Sequence, residues 1–156
     1  MNLARVAAIA ADEAIRQKVG IKGFADLLKA YELASHMSAY GTLQELDVLA
    51  IAARVNGLDL IDYRHTPVTF PNMTVAPHHS IIPNAMRSMF ALVKFIGSSH
   101  PDDANVIDST VDGWIKNFLD IHPFIDGNGR TAWILRTWLL NQWDYPFPLP
   151  NYYGEA

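Results

Sequence analysis

The 156-residue chain is half hydrophobic and 18% charged, carries a net charge of −4 and has no cysteine. That composition describes one globular domain over 1–156, able to bury roughly two-thirds of its unfolded surface, and excludes a disordered chain, disulfides and thiolate metal centres. The acidic balance argues against general nucleic-acid binding, since phosphate rewards a basic surface, although a nucleotide site needs only local positive groups. Residues 1–11 are Ala-rich but too weakly apolar for a signal peptide, and no run approaches the roughly 20 apolar residues of a membrane span. A soluble, cytoplasmic protein is expected.

In chain order, residues 2–18 read as a helix ending near Gly20. Phe24, Leu27, Leu28, Tyr31 and Ala34 then recur at helical spacing within 24–39, which puts them on one face. Thr42 stands three residues before Glu45, a capping-box spacing, and Leu46, Leu49, Ala50 and Ala53 continue a third helix that stops near Asn56-Gly57. Nothing in these helices carries chemistry, and His36 reads as a surface or interhelical polar residue.

Residues 63–79, YRHTPVTFPNMTVAPHH, have a different texture. Val68, Thr69, Phe70, Thr74 and Val75 favour extended backbone around the turn-like pair Pro71-Asn72, which predicts a short β-hairpin flap in an otherwise helical protein. An ordinary connecting loop is the plainer alternative, but a structureless loop this long is uncommon in a compact domain unless it has a task. His78 and His79 are adjacent, have no acidic neighbour, and read as solvated or rim residues rather than a metal pair.

The next helix is expected from Ile82 to Gly97, with Pro83 in its first turn and Met86, Met89, Phe90, Val93 and Phe95 mostly inward. Ser98 to Asp103 reads as a loop containing His100. Asp108-Ser109-Thr110 offers a start for a helix through Trp114, Ile115, Phe118 and Leu119. Thr131 to Trp143 is apolar nearly all round and therefore central. The aromatic, proline-rich segment from Tyr145 to Tyr153 ends helical structure and is expected to pack back on the core.

Between the last two helices lies His122-Pro123-Phe124-Ile125-Asp126-Gly127-Asn128-Gly129-Arg130. Gly127 and Gly129 allow close approach of a ligand to the backbone, and the helix start behind them offers N–H donors and a positive dipole end suited to phosphate. Asp126 is an oxygen ligand of the kind Mg²⁺ prefers, Arg130 can fork onto phosphate oxygens, and His122 can accept a proton near neutral pH. Each residue also has a bland reading: His122 as a helix cap, Asp126 as a turn residue, Arg130 as the partner of a carboxylate. Jointly, the residues point to metal-assisted transfer of a phosphate-containing group to a nucleophile.

The stretch resembles the signature of the Fic family (Fic/Doc fold), HxFx(D/E)GNGRxxR, at His122, Phe124, Asp126, Gly127, Asn128, Gly129 and Arg130. It departs at the last position, where Trp133 stands in place of the second arginine. The likeness extends over about residues 40–145, including the spacing of Tyr63-Arg64, Val68, Ile82-Pro83 and Met86. It implies an all-α Fic-like helical bundle with a short β-hairpin flap. His122 would be the general base, Asp126 the Mg²⁺ ligand and Phe124 a structural anchor. Gly127, Asn128, Gly129 and Arg130 would bind the nucleotide, with Arg136, three residues beyond Trp133, reaching in for the missing arginine. Val68, Thr69, Phe70, Met73, Thr74 and Val75 would form the flap that holds an extended target segment.

The resemblance further implies transfer of AMP, or another nucleoside monophosphate, from ATP or another nucleotide to a Ser, Thr or Tyr hydroxyl of a target protein. Members resembling the Doc toxin also lack the second arginine and transfer the γ-phosphate, but they carry Lys where this chain has Gly129. A nucleotide- or peptide-binding pseudoenzyme is the alternative from a different class. The inhibitory motif (S/T)xxxE(G/N) of many Fic proteins is not found in the sequence. A separate antitoxin chain is therefore the expected restraint, and delivery into a host cell is a further setting in which such a protein acts.

Overall fold

The structure is a computed structural model and describes residues 1–96 and 102–153. It holds six α-helices: α1 (Leu3–Arg16), α2 (Gly20–Ser38), α3 (Glu45–Val55), α4 (Ile82–Val93), α5 (Ala104–Ile121) and α6 (Asn128–Leu140), with a short 3-10 turn at His79–Ile81. The architecture is all-α, as expected. None of these helices is long and apolar enough to cross a membrane.

The helices form where periodicity places an apolar face toward a neighbour. In α1 the buried residues Val6, Ile9, Ala10, Glu13 and Ala14 follow the spacing of one helical face, and Asn2 caps the start by accepting the Arg5 N–H at 3.1 Å. α6 is the central element. It packs against α2, α3 and α5 and buries Asn128, every residue from Arg130 to Leu135, Thr137 and Trp138. Trp133 is wholly buried; its ring stacks on Tyr31 of α2 at 5.1 Å between centroids, and its indole N–H donates to the Phe147 carbonyl at 3.0 Å. The Pro-rich segment after α6 does pack back. The Tyr31 hydroxyl donates to the Trp143 carbonyl at 2.7 Å, and the Arg5 guanidinium lies 3.9 Å over the Tyr145 ring and bonds the Pro146 carbonyl.

Several boundaries differ from the sequence expectation for local reasons. α3 is capped at Gln44, whose N–H donates to Asp47 at 2.8 Å, rather than at Thr42, and Leu46 faces solvent. α4 stops at Val93 because Phe95 and Ile96 turn their N–H groups to carbonyls three residues back; Phe95 is exposed, and the expected end at Gly97 lies outside the described residues, as does His100. α5 begins a turn earlier than Asp108, because the Asp103 carboxylate caps it by accepting from Asn105 and Val106.

The flap is the main correction. Among the described residues no strand forms; residues 68–76 make a tight loop with a single antiparallel bridge between Thr69 and Val75. Pro67, Pro71 and Pro77 bracket and interrupt the segment, and a proline cannot donate to a ladder. The turn itself is well defined. Met73 adopts a left-handed φ of 70°, and the Asn72 side chain accepts the Thr74 N–H at 3.0 Å.

Candidate active site at the α5–α6 loop

α5 delivers His122 and α6 begins at Asn128, so the signature is the turn between two packed helices. His122 is the C-cap of α5 in a left-handed conformation, φ 52°, with its N–H donating to the Phe118 carbonyl at 3.0 Å. Such a conformation is unfavourable for a residue with a Cβ and persists because neighbours hold it. The principal neighbour is Arg64, only 2% exposed. Its guanidinium donates to the carbonyls of His122 (2.6 Å), Ile121 (3.2 Å), Thr66 (3.0 Å) and Pro77 (2.6 Å), and its backbone N–H donates to the Pro123 carbonyl at 2.8 Å.

Beyond His122 the loop is closed by its own residues. Phe124 is fully buried against Tyr63 and Phe118. The Phe124 N–H donates to the Asn128 side-chain oxygen at 3.0 Å, while the Asn128 amide donates back to the Phe124 carbonyl at 2.8 Å. Gly127 has φ 78°, and an added Cβ would lie 2.8 Å from the Asn56 side chain at the end of α3. A Cβ on Gly129 would lie 3.0 Å from the Gln17 amide at the end of α1. The first backbone bond of α6 is the Thr131 N–H to Gly127 at 2.9 Å. The N–H groups of Asn128, Gly129 and Arg130 make no backbone hydrogen bond among the described residues. They form the amide cluster that an anion would meet.

The charged residues divide unexpectedly. Arg130 is 2% exposed, and its guanidinium is held by Gln17 (2.9 Å), the Val55 carbonyl (3.4 Å) and Asp126 (3.3 Å). Gln17 in turn donates to the buried Glu13 at 3.2 Å. Asn128 and Arg130 thus brace the loop with side chains that the sequence reading assigned to the nucleotide. Arg136 lies two turns along α6, about 12 Å from its start, bonded to Asp112 of α5 at 2.8 Å, which also accepts from Tyr152. It is not brought to the loop. Trp133 likewise faces the core, so α6 supplies no second arginine at the amide cluster.

Asp126 has the opposite environment. Its side chain is 71% exposed, with one oxygen engaged by the Gly127 N–H at 2.8 Å and by Arg130. Among the described residues no group of three or more His, Cys, Asp or Glu is placed to hold a metal ion. A lone exposed carboxylate beside an amide cluster fits a hard cation such as Mg²⁺, whose other ligands come from water and substrate phosphates. His78 and His79 stack on one another, and His78 caps the 3-10 turn through Ser80.

The His122 ring meets Phe70 of the flap edge-on, with centroids 5.1 Å apart. Burial pushes the imidazole pKa below its ordinary value, and the Arg64 charge adds to this; the Leu119 carbonyl and Asp126 pull the other way. Nδ1 is buried without a well-formed hydrogen bond. A neutral imidazole at pH 7 is the state a general base requires. Three residues of this site were not singled out from sequence as parts of it: Arg64, Asn56 and Gln17. An arginine just before a proline-rich segment was the one available signal, since Gln17 and Asn56 look like ordinary helix ends.

The architecture is thus a helical bundle in which a histidine-capped helix leads through a glycine turn into a following helix N-terminus. The Fic/DOC family model matches residues 42–140. The chain belongs to the Fic/DOC family. It is also similar to a Fido domain-containing protein of Dictyostelium discoideum, 49% identical over 41 residues, which cover 26% of this chain and 29% of that relative. The match spans less than a third of that relative's length.

Proposed function

We propose that the chain transfers a nucleoside monophosphate, AMP from ATP in the first instance, to a hydroxyl side chain of a target protein. The observation that carries this reading is the placement of neutral His122, in contact with the flap, on the same short loop as the unpaired amides at the start of α6. A Ser, Thr or Tyr hydroxyl brought in by the flap gives its proton to His122 as its oxygen bonds to the α-phosphorus. The bond to the bridging oxygen breaks and pyrophosphate leaves. The amides of Asn128, Gly129 and Arg130 stabilise charge gathering on the phosphoryl oxygens. Asp126 would hold Mg²⁺, which when bound neutralises phosphate charge.

The flap supports strand addition by a target. Its bonds run from Phe70 N–H to Thr74 and from Ala76 N–H to Val68, so the Thr69 and Val75 N–H and carbonyl groups point outward. Met73 and Val75 are exposed beside them. A separate inhibitory chain and a cytoplasmic or host-cell site of action go with the same reading.

One observation favours a second reading. With Trp133 in the core and Arg136 bonded to Asp112, α6 offers no arginine for the terminal phosphates. ATP bound the other way round would place its γ-phosphate at the amides and make the protein a kinase. Label transfer from ATP labelled at the α- or the γ-phosphate, with wild type and His122→Ala, decides. Labelling from α, lost in the variant, is the expected result; labelling from γ alone establishes the kinase. Unchanged biological effect of His122→Ala would establish a binding module instead.

A further inference from the structure

Arg64 is a buried cation with no carboxylate partner among the described residues. Arg64 precedes the flap and is bonded by carbonyls alone: Thr66 and Pro77 at the two feet of the flap, Ile121 and His122 at the end of α5. Its position at a helix C-terminus is favourable to positive charge, and the fork of the guanidinium is what lets one side chain reach four acceptors. Lysine carries a compact charge on a flexible stem and cannot span them.

We propose that Arg64 is a positioning residue that joins the flap and His122 into one unit, so that a target seated on the flap is held in register with the base. Among the described residues, the nearest backbone bond between the two arms of the flap runs from the Ala76 N–H to the Val68 carbonyl, and the Thr69–Val75 bridge lies farther out than Thr66 and Pro77. Through Arg64 the feet are fixed to the same backbone turn that sets the His122 ring. The contact between Phe70 and His122 is the outward sign of that registration. Arg64 is buried behind the loop and acts by where it holds the base.

The test uses the full chain with labelled His, Phe and Arg. In Arg64→Lys the nuclear Overhauser contact between the Phe70 and His122 rings should disappear while that between Tyr31 and Trp133 persists. The kcat for target modification should fall roughly 10²-fold, as expected for misplacement of a catalytic group, with the KM for nucleotide unchanged. A persistent Phe70–His122 contact, or a lost one with unchanged kcat, overturns the proposal. Should the variant not fold, exchange of the Arg64 Nε–H in the wild type decides: protection well above that of exposed Arg54 upholds the clasp, and equal exchange overturns it. The kcat arm rests on the transfer chemistry proposed above. A wild type that transfers nothing would sink that chemistry and leave the ring contact and the exchange to judge Arg64.

Discussion

The signature loop and the flap face each other across His122 and are stabilised in opposite ways. The loop is overdetermined: Asn128 closes it on Phe124, Arg130 is braced by Gln17, Val55 and Asp126, and Gly127 packs on Asn56. The flap has one bridge, an Asx turn and two feet held by Arg64. Under the proposed transfer chemistry, the site would be rigid where charge is stabilised and open where a target chain docks. In the loop, polar side chains are used internally, and the N–H groups of Asn128, Gly129 and Arg130 keep no backbone partner among the described residues. In the flap, backbone groups remain because too few partners exist to pair them.

Breaking the loop at its chemical centre should have the largest effect. His122→Ala is expected to lower transfer by roughly 10²–10⁴-fold, with circular dichroism and melting near wild type. Retained transfer would sink the assignment of the base. Asn128→Ala sharpens the claim that this side chain braces the loop. It removes two buried hydrogen bonds, so stability should fall by about 2–3 kcal/mol and the melting midpoint by about 5–10 °C; a midpoint unchanged with lost activity would instead make Asn128 a ligand contact. Gly127→Ala places a Cβ against Asn56 at a left-handed φ, and chemical denaturation should register a loss of about 1–2 kcal/mol.

The flap should respond differently. Val75→Pro deletes an outward N–H that no backbone acceptor uses among the described residues, so folding stability should change by less than about 1 kcal/mol while the KM for a protein target rises. An unaffected KM would exclude docking along that edge. The smallest effect is the pH dependence of His122. Its folded pKa is depressed mainly by burial, so the unfolded chain binds the proton more readily. The associated stability is present above about pH 6.5, the ordinary histidine value, and is lost as pH falls through the lower folded value. The acid limb of activity should follow the folded value, and histidine-selective NMR titration would show it; a His122 titrating above 6.5 would contradict the burial-dominated site.

Much of this was legible along the chain because it depends on neighbours a few residues apart. Helical spacing announced α2, the nearly all-round apolar run announced α6, the glycines announced the turn, and the run from His122 to Arg130 announced the family. Trp133 was visible as a departure, but its meaning was not. Only packing shows it stacked on Tyr31, a core residue where an arginine was expected.

What tertiary structure alone decided concerns side chains with long reach and contacts distant in sequence. Arg64 meets His122 across 58 positions, Arg130 meets Gln17 across 113, and Arg136 turns to Asp112 rather than to the signature loop. The failed strands of the flap have the same origin, since three prolines permit a turn but a ladder needs donors placed by the fold. The sequence determined which residues make the loop and the helices that carry it, because hydrophobic period and turn chemistry are local. The fold decided which polar groups brace the site and which face a ligand, because burial and hydrogen-bond partnership are properties of the packed whole.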